Sequence, residues 1–279
     1  MASYATVLSS NANIDEVQIS DVKVTQQGGK SARLLYNGNP LLLRLPRLKL
    51  PMGISVREDP KTGNSYSTIV SLRNCDPYAK DASTDDEVGP LYNFMLALQN
   101  KLLDWATENS VKLFGKKRTR DSIEDAFKKI LSVSTDRDGD VAVPNGKYPP
   151  SLRLKVPVYD GRVSMDVVDS RAMQKVLTPS SLLSVFPKHC EANMIIQGSV
   201  YVINGNFGVS WVVKFAQVFP QSRVTAATLF AAEEEAPVED EAPVEGVESQ
   251  LVEAGAVEAP PENAPVHHGS AGGRRRKAT

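Results

Sequence analysis

A stretch of nine residues, SLRLKVPVY at 151–159, alternates apolar side chains with side chains that could hold a polyanion. Arg153, Lys155, Pro157 and Tyr159 occupy one set of alternate positions. The other set is Leu152, Leu154, Val156 and Val158. Because successive side chains of a β-strand point to opposite faces, this pattern predicts one face in a core and one outside it. Cations that contact phosphates and a ring that stacks a base are what a groove for a single nucleic-acid strand requires.

Two further segments carry cations beside apolar residues. In LLLRLPRLKLP (41–51), cations alternate with leucines, and Pro46 predicts an edge strand or a bulge because proline has no N–H for a ladder. KKRTR (116–120) follows a predicted helix. The candidate phosphate contacts here are Arg44, Arg47, Lys49, Lys116, Lys117 and Arg118. A solvated surface would show the same patterns, so that alternative stays open for these segments and for 151–159.

The stretch GSVYVINGNFGVSWVVKFAQVF (198–219) predicts a β-hairpin that turns at Asn204-Gly205, because both residues tolerate a positive φ. Its second strand has no plainly polar face, which is unusual for a half-buried strand. The side chains predicted to lie in the core are Phe207, Trp211 and Phe215. Lys214 would then face outward beside Tyr201 or Tyr159 of a neighbouring strand, as part of the same groove.

Segments that resemble catalytic or metal-binding motifs each lack a residue that the chemistry needs. GGKS (28–31) lacks the first glycine of a phosphate-binding loop, where Val24 stands. DRDGD (136–140) has its glycine too early for a calcium loop, and Lys147 replaces the bidentate glutamate. His189-Cys190 is a single pair of potential ligands, fewer than a metal site needs. The sequence therefore predicts no enzyme, no catalytic residue, no metal and no cofactor.

The spacing of apolar residues predicts a mainly β fold with a helical insert, of the α+β class. Short alternating segments separated by turns fill 14–74 and 151–219, which favours an antiparallel barrel or sandwich. Apolar residues at three- and four-residue steps predict a long helix over 89–114 and a shorter one over 121–131. Residues 134–150 are predicted to be a loop. An OB-fold-like barrel with one long helix fits this order, since an OB barrel carries its helix between its third and fourth strands.

Composition divides the chain into a body and a tail. The sequence predicts a flexible N-terminus over 1–13 and a nucleic-acid-binding domain over 14–230 with a helical insert over 86–131. A disordered acidic tail with a basic tip is predicted over 231–279, because this segment lacks aromatic residues and helical periodicity. The tail has 11 acidic and 4 basic residues, which leaves 22 acidic and 28 basic residues in the body. A body at +6 and a tail at −7 predict a polyanionic partner for the body.

Two of these segments also carry a family resemblance. KYPPSLRLKVPVY (147–159), followed by 198–219, resembles single-stranded DNA-binding proteins of large eukaryotic (nucleo-cytoplasmic) DNA viruses, which are distantly similar to the podophage-type single-stranded DNA-binding protein. The resemblance spans 14–220. It implies an OB-fold body, work on single strands in replication or recombination, and contacts with replication proteins through the acidic tail. The podophage-type tail ends in acids and an aromatic residue, whereas this chain ends in RRRKAT, so any partner that recognises the aromatic is in doubt.

The combined prediction is single-stranded DNA binding with little sequence preference, since every base has a stacking face. The alternative is a virion structural or scaffold protein with a solubilising acidic tail. No secretory signal or membrane-length apolar run is visible, so the expected location is the nucleus or a cytoplasmic replication site of a host cell. The sequence leaves open a homo-oligomer, the choice between DNA and RNA, and whether the basic tip is a nuclear import signal or a DNA contact.

Overall fold

The computed structural model describes residues 6–26, 28–60, 63–79, 87–139 and 141–219, so the predicted tail lies outside the described residues. The helices are α1 (Gly89–Glu108), α2 (Ser110–Phe114), α3 (Arg120–Ala126) and α4 (Leu182–Val185), with 3₁₀ turns at Ser9–Asn11 and Ile14–Glu16. The strands are β1 (Thr6–Leu8), β2 (Val17–Ile19), β3 (Lys23–Val24), β4 (Lys30–Tyr36), β5 (Asn39–Pro40), β6 (Leu42–Arg44), β7 (Leu48–Lys49), β8 (Ile54–Arg57), β9 (Ser65–Ser71), β10 (Phe127–Lys128), β11 (Leu131–Ser132), β12 (Thr135–Asp138), β13 (Val141–Pro144), β14 (Ser151–Val156), β15 (Val158–Tyr159), β16 (Arg162–Val163), β17 (Asp166–Val168), β18 (Gln174–Lys175), β19 (Glu191–Ile203) and β20 (Asn206–Phe219). Within the described ranges, no helix combines the length and the apolar content that crossing a bilayer would take.

Five strands pair in a closed circuit around the core. β19 pairs with β7, β7 with β9, β9 with β14, β14 with β20, and β20 again with β19. Numbered along the chain, the circuit runs first, second, third, fifth, fourth, and the third and fifth strands are parallel where Lys155 meets Val212. This is an OB-like arrangement, and the predicted mainly β class with one long helix is confirmed.

The first strand of the circuit is bent at two prolines. Pro46 separates β6 from β7, and Pro51 separates β7 from β8. β6 and β7 pair with β19, whereas β7 and β8 pair with β9. The segment therefore bends at Pro46, where the sequence predicts an interruption. Before the bend it pairs with β19, the fourth strand of the circuit, and after it the segment reaches β9, the second strand.

The long helix lies between the second and third strands of the circuit, not between the third and fourth as the OB pattern predicted. α1 begins at Gly89 with Pro90 in its first turn, and α2 ends before Gly115, whose φ of 77° suits a left-handed C-cap. Lys30 of β4 holds the C-terminal end of α2, because its Nζ donates to two carbonyl oxygens of α2 at 2.7 and 3.0 Å. Apolar periodicity locates a helix in the chain, but strand pairing alone decides its place in the circuit.

The core fills the space between the inward faces of the circuit and one stripe of α1. Gly198 is essential to this packing, because a Cβ added there would lie 2.7 Å from the side chains of both Leu34 and Trp211. The Trp211 ring therefore occupies the space that a larger residue at 198 would take. The buried stripe of α1 is Leu91, Phe94, Met95, Leu98, Leu102, Leu103 and Ala106.

A β-bulge in β20 reverses the buried face of that strand. β19 and β20 pair regularly as far as Ile196 and Val213, after which Ile195 pairs with Phe215 and Lys214 has no partner. The buried side chains are Phe207, Trp211 and Val213 before the bulge, and Ala216 and Val218 after it. Phe207 and Trp211 are in the core as predicted, but the prediction that Phe215 joins them is wrong. One extra residue shifts a period of two onto the opposite face.

Three other segments differ from the sequence predictions. Residues 134–150 contain the hairpin of β12 and β13 rather than a loop, because valines follow a turn at Gly139, where φ is positive. The shorter helix predicted over 121–131 is α3, which ends at Ala126. β10 and β11 follow it because β20 and β14 offer them free edges. Residues 6–8 of the supposedly flexible N-terminus form β1 beside β6, and Val7 packs against the core.

Candidate nucleic-acid interface

The outward sides of β8, β9 and β14 form a strip of small hydroxyl side chains and cations. Arg153 pairs with Ile69, Lys155 pairs with Ser67, and Ser67 pairs in turn with Ser55. The alternate residues of β14 are buried, as the sequence predicted. We call this strip, with the adjoining outward residues of β20, the serine–cation face: Ser55, Arg57, Ser65, Ser67, Ile69, Ser71, Ser151, Arg153, Lys155, Ser210 and Val212.

The serine–cation face carries positive charge without negative charge. None of its members is Asp or Glu, and Arg57, Arg153 and Lys155 are exposed without an ion pair to any described residue. Arg153 is oriented by Ser67, whose Oγ accepts a hydrogen bond from its Nη2 at 3.1 Å. Because no carboxylate neutralises these cations, their field is open to an anionic strand.

Lys214 stands where β20 leaves this face. It is the unpaired residue of the bulge and is half-exposed. Val212, two residues before it, pairs with Lys155 of β14. The side of β20 that is not plainly polar is therefore part of the outer surface of the sheet, with Lys214 at its margin.

Tyr159 does not continue the face as the alternation predicted. Pro157 is buried, and Tyr159 lies in the separate hairpin of β15 and β16, opposite Arg162. Proline has no N–H for the ladder, so the alternation of faces is not carried past it. Tyr159 is still 63% exposed after the end of β14. Before the start of β14, Tyr148 is 62% exposed.

The three cations of the first strand have different surroundings. Arg47 forms an ion pair with Glu191, with Nε 2.7 Å from Oε2, and its guanidinium carbon lies 4.0 Å from the ring centroid of Phe219. These contacts occupy Arg47. Lys49 is exposed and pairs with Ser71 at the edge of the serine–cation face. Arg44 is outside that face and lines a cavity beside β19.

Of the cations that follow α2, Arg118 contacts the turn between β19 and β20. The guanidinium carbon of Arg118 lies 4.3 Å from the ring centroid of Phe114, and its Nη1 donates to the carbonyl oxygen of Gly205 at 3.3 Å. Its Nε is buried without a described partner. Arg118 therefore holds the turn, whereas Lys116 and Lys117 are exposed.

Tyr201 is covered by its own hairpin. A Cβ added at Gly208, its partner on β20, would lie 3.0 Å from the Tyr201 hydroxyl and 3.2 Å from its ring. Lys128 lies on the other side of Gly208. Burial raises the pKa of Tyr201, and its ring packs on the backbone at Gly208 rather than standing free for a base.

The structure brings together only part of the predicted site. Arg153 and Lys155 share one face, with Lys49 and Lys214 at its margins, whereas the other candidates lie elsewhere or are held in contacts of their own. Sequence reasoning missed Arg57 and the serines of β9. The signal is present in SYSTIVS (65–71), where the serines occupy alternate positions along the strand and the residues between them include the buried ones.

Potential metal ligands are scattered over the described part of the chain. No group of three or more His, Cys, Asp or Glu side chains there could hold an ion. Cys190 is buried, and burial raises the pKa of its thiol to about 11. A thiol in this state is a poor nucleophile and a poor ligand.

Comparison with known proteins yields alignments to phage proteins. No family model matches the chain, and no curated protein matches it. The single-stranded DNA-binding protein from bacteriophage Enc34, solved in complex with ssDNA, aligns with a TM-score of 0.38 and 10% identity over 74% of this chain and 94% of that chain. gp2.5, a single-stranded DNA-binding protein encoded by bacteriophage T7, aligns with a TM-score of 0.40 and 10% identity over 74% of this chain and 100% of that chain. At these TM-scores, neither alignment assigns a residue of this chain to a site.

Proposed function

We propose that this chain binds single-stranded DNA on the serine–cation face and catalyses no reaction. The supporting observation is that Arg57 on β8 and Arg153 and Lys155 on β14 stand on either side of β9 in a face without a carboxylate. Charges of both signs usually intersperse on the surface of a soluble domain, so a face of one sign favours a ligand of the other.

A single strand fits this face better than a duplex. Tyr148 and Tyr159 are exposed before and after β14, with Lys147 Nζ 5.6 Å from the Tyr148 ring centroid, and such rings can stack only on unpaired bases. The serines between them are small enough to let a phosphate backbone approach the cations. Stacking and phosphate contacts carry little sequence information, so we expect little preference among sequences.

The setting of this activity is also a proposal, supported by the family resemblance. We infer work in viral DNA replication and recombination, at a replication site in the nucleus or cytoplasm of a host cell, with replication proteins contacting the acidic tail. A homo-oligomer remains compatible with these roles. Imaging of a tagged full-length chain in infected cells, relative to newly synthesised DNA, tests the location.

The direct test is a fluorescence titration of the full chain with labelled single-stranded DNA, duplex and RNA over a series of salt concentrations. We expect single-stranded DNA to bind more tightly than duplex, with log affinity falling by about 0.7 per phosphate contact for each unit of log salt. Arg153→Ala with Lys155→Ala should weaken binding and reduce that slope by about 1.4, the value for two lost contacts. The melting temperature should hardly change, since both side chains are exposed.

A matched control removes the same charge from other elements. Arg137→Ala with Arg171→Ala changes two exposed cations outside the face and should leave affinity near that of the wild type. Equal losses in the two double variants would show that net charge alone drives binding and that the face is not the site. If the wild type binds no nucleic acid and assembles in a salt-independent way, the virion structural alternative becomes the better account.

A further inference from the structure

A cavity of about 260 Å³ opens beyond the bulge of β20, between that strand and β6, β17 and β19. Phe215 and Ile195 supply apolar wall. The polar groups that line it are Arg44, Asp166, Asn193 and Gln217. We call it the Phe215 cavity, and none of its lining residues belongs to the serine–cation face.

The bulge is the reason that Phe215 lines this cavity. In a regular ladder, Phe215 would follow Trp211 and Val213 into the core, but unpaired Lys214 turns it outward. Moving an aromatic ring out of a core sacrifices apolar burial, and bulges commonly re-aim a side chain beside a binding site. Phe219, four residues on, also faces outward, but Arg47 covers its ring. The Phe215 ring, with no described cation or ring against it, is open toward the cavity.

The polar groups of the cavity offer both a donor and an acceptor. Asn193 donates from Nδ2 to Oε1 of Gln217 at 3.3 Å, which leaves the Asn193 carbonyl oxygen and the Gln217 amide nitrogen without described partners. Asp166 pairs with Phe215 across β17 and β20 and is exposed. Arg44 is exposed without an ion pair to any described residue.

We propose that the Phe215 cavity holds one nucleobase of the bound strand, stacked on Phe215, with the adjoining phosphate at Arg44. This rests on the proposed function. The cavity volume of about 260 Å³ lies below the range of about 300–1,000 Å³ for drug-sized ligands, which suits one planar ring system and is too small for a peptide helix. It is also continuous with the main face, because β20 carries Val212 of that face, then Lys214, then Phe215.

The carboxylate of Asp166 gives this subsite a base preference. A carboxylate accepts a hydrogen bond from the N4 amino group of cytosine, whereas thymine presents the O4 acceptor at the equivalent position. The subsite therefore favours cytosine over thymine. The stacking and phosphate contacts of the main face do not discriminate between these bases.

The test compares full-length variants on dC and dT oligonucleotides of equal length. Phe215→Leu removes the stacking ring and should weaken binding to both by about 5- to 150-fold, the loss typical of one stacked base. Phe215→Tyr keeps the ring and should bind within about twofold of the wild type. Asp166→Ala should reduce the preference for dC over dT while leaving dT affinity unchanged or higher.

Phe219→Leu is the matched control, since it makes the same change at a ring that Arg47 covers, and it should bind like the wild type. Wild-type affinity in Phe215→Leu would overturn the subsite, and the Arg153→Ala, Lys155→Ala variant would still test the proposed function by itself. If Phe215→Leu both binds weakly and melts early, Phe215→Tyr decides: retained affinity supports stacking, and equal loss overturns it. A wild-type chain that binds no single-stranded DNA removes the proposed function, and the subsite with it.

Discussion

At the scale of single residues, three arginines that look alike in the sequence have different roles in the structure. Arg47 contacts a carboxylate and a ring, Arg118 contacts a carbonyl and a ring, and Arg153 contacts one serine hydroxyl. A carboxylate neutralises a guanidinium, whereas a hydroxyl only orients it. Alternation predicts the face of Arg153, but no local pattern reveals that Glu191 will meet Arg47, because β19 lies far along the chain.

Cys190 allows a prediction about pH. Burial raises the pKa of its thiol from 9.0 to about 11, so between these values the unfolded chain loses a proton that the folded chain keeps. The free energy of unfolding therefore falls as pH rises through this window, and the contribution of the neutral thiol is complete below about pH 9. We expect the wild type to lose about 1–2 kcal/mol more than Cys190→Ala between pH 8 and pH 10.5 in reducing buffer.

The measurement is urea unfolding of both chains at the two pH values. Subtracting the loss measured for Cys190→Ala from the loss measured for the wild type cancels the contribution of the tyrosines, which titrate in the same direction in both chains. Parallel losses in wild type and variant would mean that the Cys190 thiol ionises as easily in the folded chain as in the unfolded one.

At the scale of elements, the hairpin of β19 and β20 shows what a sequence can reveal and where it stops. Asn204 and Gly205 have φ values of 51° and 80°, which the sequence predicts because these residue types tolerate the left-handed region. The bulge at Lys214 could not be predicted, since nothing in VVKFAQ marks an unpaired residue. The bulge depends on the register between whole strands. The sequence therefore predicts the correct buried face for β20 before the bulge and the wrong face after it.

The same hairpin depends on Arg118, which connects its turn to the segment after α2. Arg118→Ala loses a hydrogen bond to Gly205 and the contact with Phe114, and should lower the free energy of unfolding by about 1–2 kcal/mol. Lys117→Ala removes an exposed neighbouring cation and should change it by less than about 0.5 kcal/mol. Chemical unfolding of both variants provides the comparison. Unchanged stability in Arg118→Ala together with weaker DNA binding would favour the direct phosphate contact that the sequence predicted.

At the scale of the whole molecule, the order of strands in the circuit is what the sequence could least predict. The sequence correctly predicts β-strands in segments 14–74 and 151–219. Only the pairing of β9 with β14 shows that the helices lie between the second and third strands of the circuit. Charge is different, because it requires no topology. The excess of bases in the body follows from counting, and part of it gathers on the serine–cation face.

Charge also supports a prediction about truncation. Removal of 231–273 deletes 11 acids and changes the net charge from −1 to +10, whereas removal of 231–279 also deletes four bases and gives +6. Attraction to single-stranded DNA should therefore be strongest without 231–273, intermediate without 231–279 and weakest in the full chain. Because salt screens such attraction, the differences should be largest at low ionic strength. Titrations of the three chains at two salt concentrations check this order, and no tightening at low salt in either truncation would contradict it.

The unpaired Lys214 has a consequence for how these surfaces can change over generations. Most substitutions alter one side chain at one place. Loss of the single codon for Lys214 would instead remove the bulge: Phe215 would follow Val213 directly, so strict alternation would keep Phe215 outward and Ala216 and Val218 inward. The serine–cation face and the Phe215 cavity are thus joined by one strand at a residue whose in-frame deletion leaves both surfaces on their present sides, while point mutations tune each surface alone.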